Sequence, residues 1–269
     1  MHREENDMRV RTIGPPIAGG IAGVVTLTLI WTALSANSTA ARFPSIPAIF
    51  EAVVDNFDTA PILAYTTFGV GGVWSNVLWT AQNVLLGVAT GLVIGFGTGL
   101  ALARVGWFNR LGKLPVAILG TVPVLAVLPF LTLWFGSSAL ATNGLVIFFT
   151  ALTVASTVQS AATAAEIRYA DYAATLGISR RRATISVILP ALVPSTIGVV
   201  RAAAAFGWGF QCIAEVLGGS QGAGRLIRSF SDATQTAGAI GVLIAVGCVA
   251  VFVDALIGLA GRWIVRWNE

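Results

Sequence analysis

Few side chains in this 269-residue chain could act on anything polar, and they are unevenly spaced. The densest group lies in DYAATLGISRRRATISVILPALVP, Asp171 to Pro194, where Arg180, Arg181 and Arg182 stand together between Gly177 and the Leu189-Pro190 pair. Adjacent positive charges on a glycine-broken segment can dock against another protein or anchor a loop in cytoplasmic water; they do not make or break bonds. A second group, Arg201, Gln211 and Glu215, falls in or beside one apolar run, with Asn83 and Trp134 in two others. Such groups line a passage for a polar solute or tie helices together. The parts for catalysis are missing. The single histidine, His2, lies in a polar tail, so neither a Ser-His nucleophile system nor a histidine-based metal site can be assembled. Cys212 and Cys248 lack the spacing of a disulfide framework or a zinc site, and packing is their expected role. The glycines of GVATGLVIGFGTG are not a phosphate cradle, because the only lysine, Lys113, precedes Leu114 and Pro115 and not Ser or Thr.

The elements that must position these residues are membrane helices. Hydrophobic residues make up 56% of the chain and charged residues only 10%, where a soluble domain carries roughly a quarter charged. The net charge of +4 is scattered between apolar runs and does not form one stripe, which argues against nucleic-acid binding. A span needs about 20 apolar residues, and six stretches qualify, near Pro15 to Leu34, Val77 to Ala103, Leu114 to Phe135, Leu145 to Ala165, Val187 to Cys212 and Ala237 to Ala260. The expectation is an all-α membrane protein with six transmembrane helices. With both termini cytoplasmic, Arg3, Arg9, Arg11, Arg104, Arg110, Lys113, Arg168, Arg180, Arg181, Arg182, Arg262 and Arg266 lie inside, and only Arg42, Arg225 and Arg228 outside. The chain divides into a cytoplasmic tail (1–14), one transmembrane domain (15–265) and a short cytoplasmic tail (266–269).

Finer features fit this frame. Pro47 to Phe57 reads as a short amphipathic helix outside the membrane, within segment 44–57, or as a loop on the membrane surface. Gly87, Gly91, Gly95 and Gly99 repeat every four residues and present one helix face for close approach, within one subunit or between two. Pro123 and Pro129 interrupt the third span, as membrane helices do beside a translocation path or at ordinary kinks. In the loop 166–186, Gly177 can take the positive φ that ends a helix, and Ser179 can cap a second helix opening with the arginines. Arg201 needs a partner, and Asp254 on the sixth span is expected to reach an arginine such as Arg262 or a neighbouring helix.

The spacing of Asp171, Gly177, Leu189 and Pro190 resembles the motif of binding-protein-dependent ABC importer permeases: an acidic residue, glycine six positions on, and a Leu-Pro proline thirteen after that. FPSIPAIFEA, VPVLAVLPFLTLWFG, Pro194 with Arg201, and AEVLGGSQGAGRLI resemble the nitrate, sulfonate and taurine branch, in order over about residues 43 to 265. Asp171 stands where that motif has glutamate, Tyr172 where it has its first alanine, and Gly198 is one place from the usual glycine.

The resemblance implies a type I ABC importer permease fold. It also implies a cell-membrane transport subunit, not an enzyme, with an identical second copy, ABC ATPase subunits and an extracytoplasmic solute-binding protein as partners. ATP and magnesium would be bound by the ATPase, leaving this chain without cofactor or metal. Asp171, Ala173, Ala174, Gly177, Arg180, Arg181, Arg182, Leu189 and Pro190 would couple to that ATPase. Arg201, Gln211, Glu215, Asn83 and Trp134 are the candidates for the path of a small anionic solute such as a sulfonate or nitrate. An ion-coupled secondary transporter and a non-transporting membrane scaffold remain the alternative readings.

Overall fold

The computed structural model describes residues 15–64, 71–175, 177 and 179–265; both expected tails lie outside the described residues. Five helical runs are long and apolar enough to cross a bilayer. They are α1 (Pro15–Ala36), α3 (Val73–Arg104), α6 (Ala139–Thr175), the continuous run of α7 (Arg180–Ala183), a π segment (Thr184–Ile188) and α8 (Leu189–Gly218), and α10 (Thr236–Ile264). The third expected span is not one helix. It is α4 (Gly106–Thr121) followed by α5 (Val124–Phe135), bent by 99° at the break. Val122, preceding Pro123, is extended at φ −67° and ψ 127°, because the proline ring disfavours helical backbone in the residue before it.

Two short helices lie at the end of the bundle opposite the 175–188 segment. In α2 (Ile46–Asp55) the Ser45 hydroxyl accepts from the Ala48 amide (3.3 Å), and Pro47 sits in the first turn, where its missing N–H costs nothing. Ile49 is buried, and Val53 fills the space left by Gly241 of α10. The segment is thus a packed helix and not a loose surface loop. The second short helix is α9 (Ala223–Asp232), whose Leu226 and Phe230 enter the core shared by α3, α8 and α10.

The glycine stripe joins α3 to α6 of the same chain. A Cβ at Gly91 would stand 2.6 Å from the Thr150 Cβ, one at Gly95 2.8 Å from the Val154 Cβ, and one at Gly99 2.9 Å from the Val158 Cβ. Only bare backbone permits that approach. A second apolar cluster, including Val154, Val158, Ala162, Leu192 and Val199, fixes α6 against α8 towards the 175–188 segment. The least buried helix is α1. Its C-terminal end is held by Trp31, which donates from Nε1 to the Pro44 carbonyl (3.0 Å) and meets the Phe43 ring edge-on at 5.5 Å.

Candidate functional site

The 175–188 segment has the broken geometry its sequence predicts. Helix α6 runs to Thr175, Gly177 takes φ +59° in the open, and the chain re-enters helix at Arg180. Ser179 caps the new helix, its carbonyl accepting from the Ala183 amide (2.9 Å) and its hydroxyl from the Arg182 amide (3.4 Å). Arg181 and Arg182 are exposed. The side chains of Asp171, Ala173, Ala174 and Arg180 lie outside the described residues. Pro190 does not begin the helix but follows one widened turn. The Leu189 amide donates to the Thr184 carbonyl, five residues back, so the π segment absorbs the register that the proline ring would disturb. Leu189 packs on the Val154–Val199 cluster, joining the segment to the bundle.

Arg104, the last residue of α3, reaches both arms of this loop. Its Nη1 is 2.8 Å from Oε1 of Glu166 on α6, and its Nη2 donates to the Thr184 hydroxyl (2.7 Å) in the π segment. The guanidinium side chain is only 11% exposed, Glu166 35%. One fork-shaped group therefore braces the arm before Gly177 and the arm after it against a third helix. From sequence, Arg104 was only a topology marker; no local pattern links it to residues 62 and 80 positions away.

Glu215 and Gln211, two of the candidates for the path, are buried, at 1% and 0% exposed. Glu215 Oε1 accepts from Gln211 Nε2 (2.9 Å), and its Oε2 accepts from the Thr80 hydroxyl (2.8 Å) and the Gly224 amide (3.0 Å). The next two amides bind α3 as well: Ala223 donates to the Thr80 hydroxyl oxygen (2.8 Å) and Gly222 to Asn76 Oδ1 (3.0 Å). The first amides of α9 are thus satisfied by side chains, and the carboxylate sits at that helix's N-terminus, where the dipole favours it. Gly222, at φ +105°, approaches the carboxyl group too closely for any side chain. Glu215 is thus a latch holding the 219–224 turn to α3 and α8. The clue in sequence was AEVLGGSQGAGRLI, a glutamate followed at seven and nine positions by the glycines that fold back on it.

The other path candidates are dispersed. Arg201 forms a bidentate pair with Asp254 of α10, Nε to Oδ1 at 2.9 Å and Nη2 to Oδ2 at 2.6 Å, beside the bare backbone of Gly258. Asp254 thus reaches an arginine on a neighbouring helix, and that arginine is Arg201 and not Arg262. Asn83 is buried and donates to the Trp79 carbonyl of its own helix (2.9 Å). Trp134 is exposed on α5. Outside the spans, Arg228 donates to the Val216 carbonyl (3.0 Å), and burial together with Arg228 pushes the Arg225 guanidinium below its ordinary value. Among the described residues, no group of three or more His, Cys, Asp or Glu side chains could hold a metal ion.

Comparison with known proteins gives the class to which this bundle, with its broken helix and exposed basic loop, belongs: a transport-system membrane component. Residues 87–268, more than half of the chain, match the family described as "Binding-protein-dependent transport system inner membrane component". The permease protein SsuC of Bacillus subtilis, named for aliphatic sulfonates transport, is 26% identical over 185 residues, 67% of each chain. The taurine transport system permease protein TauC of Escherichia coli is 20% identical over 91% of this chain and 87% of its own. The bicarbonate transport system permease protein CmpB of Synechococcus elongatus is 26% identical over 91% and 88%. The inward-facing MetNI methionine ABC transporter shares the fold, with a TM-score of 0.59 over 72% of this chain and 95% of that one, at 22% identity. The chain belongs to the binding-protein-dependent ABC importer permeases, in the nitrate, sulfonate and taurine branch, and is a multi-pass protein of the plasma membrane.

Proposed function

We propose that this chain is one of two identical permease subunits of an ATP-driven importer that takes up a small anionic solute, such as a sulfonate or nitrate, delivered by an external binding protein. The single transmembrane domain counts six spans when α4 and α5 are taken as one broken span, with both termini in the cytoplasm. A separate ATPase, which binds ATP and magnesium, docks on the loop from Asp171 to Arg182. The observation that carries this reading is the exposed, basic, Gly177-broken loop whose two arms are braced to α3 by Arg104. A rigid brace is what such a mechanism needs, because an ATPase shifts a two-state bundle only through contacts that differ between the states. Relatives named for sulfonates, taurine and bicarbonate support an anionic solute.

The test is co-purification from mild detergent of wild type and Gly177→Pro. Proline requires φ near −65° and cannot adopt the φ of +59° found at this position. Wild type is expected to bring down a stoichiometric ATPase and the variant to lose it while still inserting into the membrane. Recovery of an equal amount of ATPase with both would move the docking site elsewhere, and recovery with neither would sink the importer assembly.

A further inference from the structure

One ion pair within the spans is only half covered. Arg201 and Asp254 bond bidentately, yet their side chains stay 46% and 44% exposed. The guanidinium uses Nε and Nη2 on Asp254, and its Nη1 has no hydrogen bond to a described residue. A charged pair in a span normally faces protein or water, because hydrocarbon chains offer it no hydrogen bonds. What Arg201 faces is a groove of about 580 Å³ between α8 and α10. From α8 the groove receives Pro194, Ile197 and Arg201, at helical spacing, and from α10 Ala255, Gly258, Leu259 and Arg262. Every side chain that lines it is apolar except Arg201 and Arg262. Gly258 leaves room for the guanidinium, since a Cβ there would stand 3.5 Å from the Arg201 Cζ.

The two guanidiniums lie at different depths. Arg262 is in the last turn of α10, next to the exposed Trp263, and that pairing of residue types belongs to the membrane–water boundary. It is exposed and makes no ion pair or hydrogen bond with a described residue. Gly258, where the Arg201 guanidinium sits, is one helical turn deeper, and Asp254 is two turns deeper, about 12 Å from Arg262 along the axis. With Asp254 neutralised by Arg201, the groove carries one net positive charge, at its boundary end. A cation at the surface, a free N–H donor one turn in and an apolar wall beyond it repeat the order of groups in a phospholipid: phosphate, ester carbonyl, acyl chain.

We propose that the α8–α10 groove is a binding site for one anionic phospholipid. The leaflet rests on the topology of the importer reading above, which puts Arg262 inside and so makes this a lipid of the cytoplasmic leaflet. Arg262 holds the phosphate, Arg201 Nη1 donates to an ester carbonyl, and an acyl chain lies over Leu259 and Ala255. Basic pockets between spans on the cytoplasmic side are where anionic headgroups are held. The lipid covers the half-exposed ion pair, and it joins α8, which continues from the 175–188 segment, to α10.

The test delipidates the full-length protein in mild detergent and reads, by native mass spectrometry, the binding of phosphatidylglycerol and of phosphatidylcholine with the same acyl chains. Wild type is expected to hold one phosphatidylglycerol roughly fivefold more tightly than phosphatidylcholine, the worth of one basic side chain at an anionic headgroup. Arg262→Gln should abolish that preference and Arg262→Lys should keep it. Diether phosphatidylglycerol, which lacks the ester carbonyls, should bind wild type several-fold more weakly than the diester. Equal affinity of wild type for the two headgroups, or an undiminished preference in Arg262→Gln, would overturn the site. Displacement of the lipid by glycerol phosphate alone would overturn it too, since the groove would then take a free anion. In a cysteine-free parent, Cys212→Ala with Cys248→Ala, ready disulfide formation between copies carrying Leu259→Cys would place a second copy in the groove and not a lipid. Arg262→Cys in the same parent, treated with a membrane-impermeant maleimide, keeps the two readings apart. Labelling only after spheroplasts are opened supports the cytoplasmic leaflet. Labelling of intact spheroplasts, with the headgroup preference of wild type retained, would overturn the topology given above and leave the lipid site standing in the opposite leaflet.

Discussion

Replacing Glu215 by alanine should free the α9 turn before it unfolds the bundle. The change removes the acceptor of three buried donors, the Thr80 hydroxyl, the Gln211 amide and the Gly224 N–H. Thr80 has a substitute, since the Asn76 carbonyl lies 3.1 Å from its hydroxyl oxygen. Gln211 and Gly224 have none of equal quality, and each stranded donor costs about 1–3 kcal/mol. With the void left among Gly222, Gly224 and Cys212, the loss should be about 4 kcal/mol. Glu215→Gln keeps one carbonyl oxygen, which can face either Gln211 or the Thr80–Gly224 side but not both, so about half of that loss is expected. Hydrogen exchange of peptides spanning 219–232, in detergent or nanodiscs, reads the effect directly, because the amides of Gly222, Ala223 and Gly224 are the ones the cluster holds. At 1.4 kcal/mol per decade, exchange there should quicken by roughly 100- to 1,000-fold in the alanine variant and by about 10- to 30-fold in the glutamine variant. Unchanged exchange at 222–224 in Glu215→Ala would refute the latch. Equal acceleration in α3 and α10 would mean that Glu215 holds the whole fold and not the turn.

Two further outcomes follow from the packing seam and from the brace. Gly91→Ala places a Cβ 2.6 Å from the Thr150 Cβ against backbone that cannot retreat, and should cost about 1–3 kcal/mol and lower Tm by several degrees; Gly97→Ala, on the same helix with nothing within 4 Å, should leave Tm unchanged, and equal shifts would refute the seam. Arg104→Met deletes an ion pair and a hydrogen bond, for a loss of about 1–2 kcal/mol after allowing for the partial exposure of Glu166, and should lower the solute carried per ATP hydrolysed while the ATPase stays bound; an unchanged transport ratio would leave Arg104 a purely structural residue.

What was legible in the sequence was what is local. Apolar length located every helix that can span, and the order of the helices follows the hydropathy. The ends were less visible. Hydropathy marks only membrane depth, so α6 reads as 145–165, yet it runs unbroken from Ala139 to Thr175 because nothing between those limits stops a helix. Pro123 announced a disturbance, but whether the chain kinks or turns by 99° depends on what α5 packs against, and that information lies in α6 and α8. Gly177 was read correctly as a positive-φ helix stop because that requirement belongs to one residue.

The site was harder to read for a related reason. A polar residue in an apolar run has two fates, to be bonded inside the protein or to face a wet passage, and composition is the same for both. Glu215 meets Thr80 across 135 residues and Arg201 meets Asp254 across 53, separations that no periodicity encodes. Those two, with Gln211, drew attention as path residues because they are the costliest to place in lipid, and the same cost is why the fold has bonded them away.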